Sequence, residues 1–231
     1  MRTVQQLMDM SGRTVLITGA TGNLGQHMVE TIAELNGNLI LVDRPDSNYS
    51  ILLEKLKIYK CNIECIECDL ESDNHRTEMV HKINNLNLPV NVLINNAAFG
   101  GTTDLQGWVA PLEGQTIKTW RRAMEVNLTA AFDLSKSLLP KLKKNRNGSI
   151  INISSIYGSS SPVHSMYEGT KMGNPAAYSV SKGGLIQLTR WLSTTIAPDV
   201  RVNTVSPGGV FRNQPEQFVS KYEERTPLGR M

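Results

Sequence analysis

Strand-like apolar runs alternate with helix-length amphipathic segments, and this predicts an α/β fold. The expected architecture is three layers (α/β/α), with a doubly wound parallel sheet between two layers of helices. Two further observations carry the prediction. The strand runs are apolar on both faces, as in a sheet covered on each side, and the first of them leads through a glycine-rich turn into a helix. At 231 residues, with 40% hydrophobic and 19% charged residues, the chain can bury one substantial core, so a single domain over 1–231 is expected.

The elements follow in order. RTVLIT (13–18) is a strand, and a helix is expected over 24–35. NLILVD (38–43), a helix over 49–59, IECIECD (63–69) and a helix over 73–84 come next. VNVLINN (90–96) precedes a long helix over 116–145, and SIINIS (149–154) precedes a helix over 175–196. RVNTVS (201–206) is the sixth strand.

Composition narrows the function classes. The net charge of +3 is modest, and KLKKNR (141–146) reads as the solvated end of a helix, so no nucleic-acid partner is expected. No run approaches the roughly 18 apolar residues of a membrane span, and residues 1–12 lack the apolar core of a signal peptide. A cytoplasmic setting is expected, and three reduced thiols fit it. Cys61, Cys65 and Cys68 have the C-x3-C-x2-C spacing of some iron–sulfur sites. On a strand, however, Cys65 and Cys68 point to opposite faces, so no metal is expected.

The turn TGATGNLG (18–25) has a mechanism. Gly19, Gly22 and Gly25 let the backbone turn tightly and approach a pyrophosphate at the positive end of the following helix. Asp43 ends the second strand, where a carboxylate takes the ribose hydroxyls of NAD and repels the extra phosphate of NADP. Arg44 beside it could favour NADP, but no Lys or Arg lies between Gly19 and Gly25 to support it, so NAD is the expected cofactor.

Tyr178 and Lys182 lie four residues apart in AAYSVSKGGLIQLTRWL, and on a helix they share a face. An ammonium beside a phenol favours its ionised form, and a phenol so tuned passes protons to and from an alcohol oxygen. YEGTK (167–171) is a second YxxxK. Pro162, Gly169, Gly173 and Pro175 work against a helix around it. Tyr178 instead stands inside a start signal, Asn174 as N-cap and Pro175 as first helical residue, and Leu185, Leu188 and Leu192 give the helix a core face. Tyr178 is therefore the expected acid/base.

These motifs, with NNAA at 95–98 and NISS at 152–155 in consistent order, resemble the short-chain dehydrogenase/reductases, mostly of the classical type, from about Ser11 to the end of the chain. The resemblance implies a Rossmann fold of strand order 3-2-1-4-5-6 and NAD(P)-dependent hydride transfer between a nicotinamide and a small-molecule carbonyl or alcohol. It places Gly19, Thr21, Asn23, Leu24 and Gly25 around the pyrophosphate, and Asp43 and Arg44 at the adenosine ribose. Asp69 and Leu70 fall at the adenine. Asn96, Ala97 and Ala98 fall along the cofactor, while Asn95 and Asn96 divide between structural and cofactor roles. Ser155 holds the substrate oxygen, Tyr178 and Lys182 also contact the cofactor, and Pro207, Gly208 and Val210 lie beside the nicotinamide. Asn127 kinks the long helix and completes a water-mediated proton path from the lysine.

The chain also departs from the family pattern. TGxxGxxG is the glycine spacing of extended members, which act on nucleotide sugars. Tyr178 lies 23 residues after Ser155, whereas Tyr167, at 12, is nearer the family interval. The surplus reads as a loop inserted over about 158–174 above the active site; His164, Tyr167 and Lys171 in it could touch substrate, but plain surface exposure is the favoured reading for each. Arg212 replaces a threonine that binds the carboxamide, which suggests an acidic or phosphorylated substrate. The chain stops at TPLGRM, so the seventh strand of relatives is expected to be missing. A homodimer through the two long helices is expected, with a weak or absent tetramer contact. The rival readings are a non-catalytic NAD-binding regulator and a nucleotide-sugar enzyme.

Overall fold

The computed structural model describes residues 3–100, 104–144 and 147–231. Six parallel strands form one sheet in the order β3-β2-β1-β4-β5-β6. They are β1 (Thr14–Thr18), β2 (Asn38–Asp43), β3 (Ile63–Glu67), β4 (Val92–Asn95), β5 (Gly148–Ile153) and β6 (Val200–Val205). The helices are α1 (Val4–Met8), α2 (Asn23–Glu34), α3 (Ser50–Leu56), α4 (Asp73–Asn85), α5 (Ile117–Met124), α6 (Ala130–Ser137), α7 (Leu139–Lys144), α8 (Ala176–Thr195) and α9 (Glu216–Glu223).

The two-residue period of a strand distributes its side chains between two cores. Val15, Ile17, Leu39 and Leu41 point toward α2 and α3 and pack with Val29, Ala33, Leu52 and Leu56. Leu16, Ile40, Val42 and Leu93 point the other way and pack with Met79, Leu134 and Leu192 from α4, α6 and α8. The order reverses between β1 and β4, and there the C-terminal strand ends open a crevice, as in other open α/β sheets.

Several boundaries differ from those read in the sequence. The helix expected over 116–145 is three helices. A π turn (Glu125–Thr129), closed by Ala130 N–H donating to the Glu125 carbonyl, separates α5 from α6. A break at Leu138 separates α6 from α7, because Pro140 has no N–H to continue the ladder. Asn145, within the expected span, lies outside the described residues, as does Arg146. In the 175–196 segment Pro175 is itself the N-cap (ψ 150°) and Ala176 the first helical residue. Asn174 does not cap; its side-chain oxygen accepts from the Ser179 hydroxyl at 2.7 Å. The strand over 63–69 stops at Glu67, leaving Cys65 exposed on β3 and Cys68 buried beyond its end.

Candidate active site

A cleft of about 820 Å³ opens along the strand ends, within the size range of cofactor pockets. At one end stands the glycine turn. Gly19 has a left-handed φ of 66°, and a Cβ there would come within 2.9 Å of the Ala97 backbone. Thr21, Asn23 and Leu24 line the cleft beside it, and Gly22 caps α2 without a side-chain bond, so the first-turn N–H groups remain for an anion. Gly25 does not line the cleft. A Cβ at Gly25 would lie 2.0 Å from the Gly19 carbonyl oxygen, so its role is to let α2 press against the turn.

Asp43 lines the cleft at the end of β2 with its carboxylate already engaged. One oxygen accepts from the Thr21 N–H at 2.8 Å and the Thr21 hydroxyl at 2.7 Å; the other accepts from the Arg44 N–H at 2.9 Å and the Ser47 hydroxyl at 3.1 Å. Arg44 lines the cleft too, and its exposed side chain pairs with Asp46 at 3.3 Å. Asp69 and Leu70 follow from β3, Asn96, Ala97 and Ala98 from β4, and Pro207, Gly208 and Val210 from β6. Thr18 locks the β4 loop in place: its hydroxyl accepts from the Asn96 and Ala97 N–H groups, while the Asn96 amide donates to the Thr18 and Gly19 carbonyls. Asn95 instead is buried between sheet and helices. Its amide donates to Asn152 at 2.8 Å, whose own amide donates to Thr189 at 2.9 Å, and its side-chain oxygen has no partner among the described residues. The two adjacent asparagines thus divide the roles, one structural and one lining the cleft.

At the other end β5 and α8 bring Ser155, Tyr178 and Lys182 to the same cleft. Ser155 accepts from the Tyr157 N–H at 3.2 Å and lies close enough to the Tyr178 phenol to act on its pKa. Lys182 is fully buried, and its ammonium donates to the Ile153 carbonyl at 2.6 Å. Burial holds its pKa down at about 8. The expected downward tuning of the phenol is not what the geometry yields. Burial raises the Tyr178 pKa, while Ser155 and the positive charge of Arg212 act in the opposite direction. The i, i+4 spacing does put lysine and tyrosine together, with the ammonium 5.9 Å from the ring centre, but the ammonium turns toward β5.

Asn127 lies behind the cleft rather than in it, at the middle of the π turn. Its side-chain oxygen accepts from the Phe99 N–H at 2.8 Å, and its amide donates to the Ser181 hydroxyl at 3.0 Å. It thereby ties the β4 loop to α8 one residue from Lys182.

The insertion stays outside the cleft. Tyr167 and Lys171 are not on a helix, and neither they nor His164 line the cleft. The Tyr167 hydroxyl donates to that of Tyr157 at 3.1 Å, and its ring packs on Phe218 of α9. Lys221 of α9 donates to the Ser165 carbonyl at 2.9 Å, fastening the loop to that helix.

Other lining residues are not evident from the sequence. Phe99 and Leu105 line the wall facing Tyr178, packed on Trp108, which is itself fully buried and donates to the Gly100 carbonyl at 2.7 Å. Arg122 clasps Glu71, its Nε donating to both carboxylate oxygens at 2.8 and 3.0 Å, and lies over the Phe99 ring. A tryptophan in a polar loop is the one signal that points to this wall; no local signal joins Arg122 to Glu71.

The sequence profile for short chain dehydrogenase matches residues 13–217. The chain belongs to the short-chain dehydrogenase family. It is 29% identical over 229 residues to the 3-oxoacyl-[acyl-carrier-protein] reductase FabG of Aquifex aeolicus, covering 96% of this chain and 86% of that one. The corresponding reductase of Rickettsia conorii is 31% identical over 230 residues, covering 96% and 85%. A 3-oxoacyl-[acyl-carrier protein] reductase from Brucella melitensis with bound NAD superposes with a TM-score of 0.81 at 24% identity, over 100% of this chain and 84% of that one. Pseudomonas aeruginosa RhlG in complex with NADP gives 0.81 at 25% identity, over 96% and 85%. This short-chain dehydrogenase is thus a classical member and an NAD(P)-dependent oxidoreductase acting on a CH–OH or C=O group. Nothing in the comparisons supports a regulator or a nucleotide-sugar enzyme. Among the described residues no helix is long and apolar enough to cross a membrane.

Proposed function

We propose that the protein interconverts a small-molecule carbonyl compound and its alcohol with NAD, Tyr178 being the general acid/base. The observation that carries this reading is the convergence of Ser155, Tyr178 and Lys182 in the cleft that also holds the glycine turn. The residues there fit a dinucleotide: uncapped N–H groups at α2 for the pyrophosphate, Asp43 for the adenosine ribose, Asp69 and Leu70 for the adenine, and Pro207, Gly208 and Val210 beside the nicotinamide. When bound, the nicotinamide supplies or accepts the hydride.

The chain's own residues do the rest. Ser155 donates a hydrogen bond to the substrate oxygen and orients it toward the phenol. In the reducing direction the carbonyl carbon gains a hydride and the oxygen takes the Tyr178 proton; oxidation reverses both. Lys182 holds the nicotinamide ribose and, with its pKa lowered by burial, takes and releases a proton at Nζ near neutral pH. Asn127 holds α8 and the β4 loop in register and completes the proton path to solvent. Phe99 and Leu105 exclude water from the facing wall.

NAD is preferred because Asp43 meets a 2′-phosphate as a like charge. Three free thiols support a cytoplasmic setting, and the long helices provide the surface for a homodimer. Replacing Tyr178 by Phe tests the reading: NADH binding, followed by its fluorescence, should persist, while turnover of a carbonyl panel falls at least about 10²-fold. Unchanged turnover would refute the assignment, and a comparable loss in Tyr167→Phe would transfer the role to Tyr167.

A further inference from the structure

The turn after β6 carries an arginine into the cleft beside the phenol. Arg212 lines the cleft with Ser155 and Tyr178, and its charge acts on the Tyr178 phenol, so the two side chains are within electrostatic reach. The turn is held by its own bonds. The Gln214 side chain accepts from the Arg212 N–H at 2.6 Å and donates to the Val210 carbonyl at 2.8 Å, around Asn213 at a left-handed φ of 61°. Asparagine tolerates that conformation better than most residues, so the backbone presenting Arg212 is defined.

The two cations at this end of the cleft differ in kind. Lys182 is buried and its ammonium faces the Ile153 carbonyl. Arg212 is exposed at the cleft surface and presents the five N–H donors of a guanidinium. Phe99, Leu105 and Val210 offer apolar surface in the same space. A substrate held with its carbonyl at Ser155 and Tyr178 therefore meets apolar walls and an exposed guanidinium.

We propose that Arg212 is a specificity-determining residue that binds an anionic group of the substrate, so that the enzyme acts on an oxo acid or a phosphorylated ketone, or the corresponding alcohol, in preference to a neutral ketone. A guanidinium suits either anion, because its planar fork matches carboxylate and phosphate alike. This proposal rests on the assignment of Ser155 and Tyr178 given above.

The test uses paired substrates with the full chain and NADH. Short-chain 2-oxo and 3-oxo acids are compared with their methyl esters, and a phosphorylated ketone with its unphosphorylated parent. The expected result is a kcat/KM at least about tenfold higher for the anionic member of one pair type, carried mainly by KM; whichever type shows it identifies the anion as carboxylate or phosphate. In Arg212→Met that ratio should fall toward one, and in Arg212→Lys it should be partly restored. Any effect of Arg212 on the Tyr178 proton reaches both members of a pair equally and cancels in the ratio. A ratio near one in the unmutated enzyme overturns the proposal, as does an equal fall for both members in Arg212→Met. Weakened NADH binding in Arg212→Met with an unchanged ratio also overturns it, by assigning the arginine to the cofactor. If NADH binds and no member of any pair is reduced, this proposal and the reading beneath it both fail; turnover without an anionic preference overturns this one alone.

Discussion

The Lys182 ammonium donates to the Ile153 carbonyl at 2.6 Å while standing 5.9 Å from the centre of the Tyr178 ring. The lysine is thus anchored to the end of β5 and holds a fixed position beside the tyrosine ring. Its burial is a cost, since desolvation disfavours the charged form and brings its pKa down to about 8.

That cost is readable in stability against pH. The unfolded chain binds the lysine proton up to about pH 10.4, whereas the folded chain releases it near 8. Between those values the unfolded state holds more protons, so stability rises with pH; below about 8 both states are protonated and the penalty is full. Lys182→Met removes this contribution, of order 3 kcal/mol at most. Urea unfolding of both proteins from pH 7 to 10.5 should show the variant gaining less stability across the window. Parallel profiles would mean that Lys182 keeps its ordinary pKa when folded.

The second and third glycines of the turn, Gly22 and Gly25, should separate sharply. A Cβ at Gly25 would fall 2.0 Å from the Gly19 carbonyl oxygen, while one at Gly22 would lie 3.2 Å from the same atom. Gly25→Ala forces α2 away from the turn and should cost at least the 1–3 kcal/mol typical of overpacking. Gly22→Ala should cost clearly less. Thermal melts of the two variants decide it, and similar melting temperatures would contradict the contact.

The sheet is legible in the amino-acid sequence because a covered parallel strand must be apolar on both faces, as VLIT and LILV are. Asn127 stands out because a mid-helix asparagine is a local anomaly, and it marks the π turn. The choice between the two YxxxK pairs follows from helix chemistry, and Tyr167 indeed sits outside a helix. Spacing fixes which side chains share a face, but not where they point. Lys182 turns to a carbonyl 29 residues away, and Arg122 finds Glu71 at a separation of 51. Such pairings belong to the tertiary structure and leave no periodic trace. Proline placement misleads by one residue at α8, where Pro175 caps rather than opens the helix, and the break at Pro140 is masked by the helical pattern around it.

Cofactor choice is a separate test. We expect NAD to bind at least about tenfold more tightly than NADP, a difference of about 1.4 kcal/mol. Asp43→Ala should narrow that gap by removing the like charge and leaving Arg44 for the phosphate. It should also weaken both cofactors, because the carboxylate fixes the Thr21 N–H and hydroxyl in the glycine turn. Titration of the two cofactors against each protein separates these effects. Equal affinities in the unmutated protein would overturn the preference.

Assembly gives the last prediction. α5 and the π turn pack against α8, yet these helices leave large apolar side chains in solvent. Ile117 is 65% exposed, Phe132 on α6 44%, Val180 48% and Trp191 55%. Exposed apolar side chains on neighbouring helices suit a two-fold interface, where the same patch serves both copies. We expect a homodimer by light scattering, with Trp191→Glu shifting it toward monomer by placing a charge in the apolar contact. The far-ultraviolet circular dichroism should not change, since Trp191 is outside the core. A monomeric unmutated protein would mean that these faces are not joined in solution, and a dimer indifferent to Trp191→Glu would place the contact elsewhere.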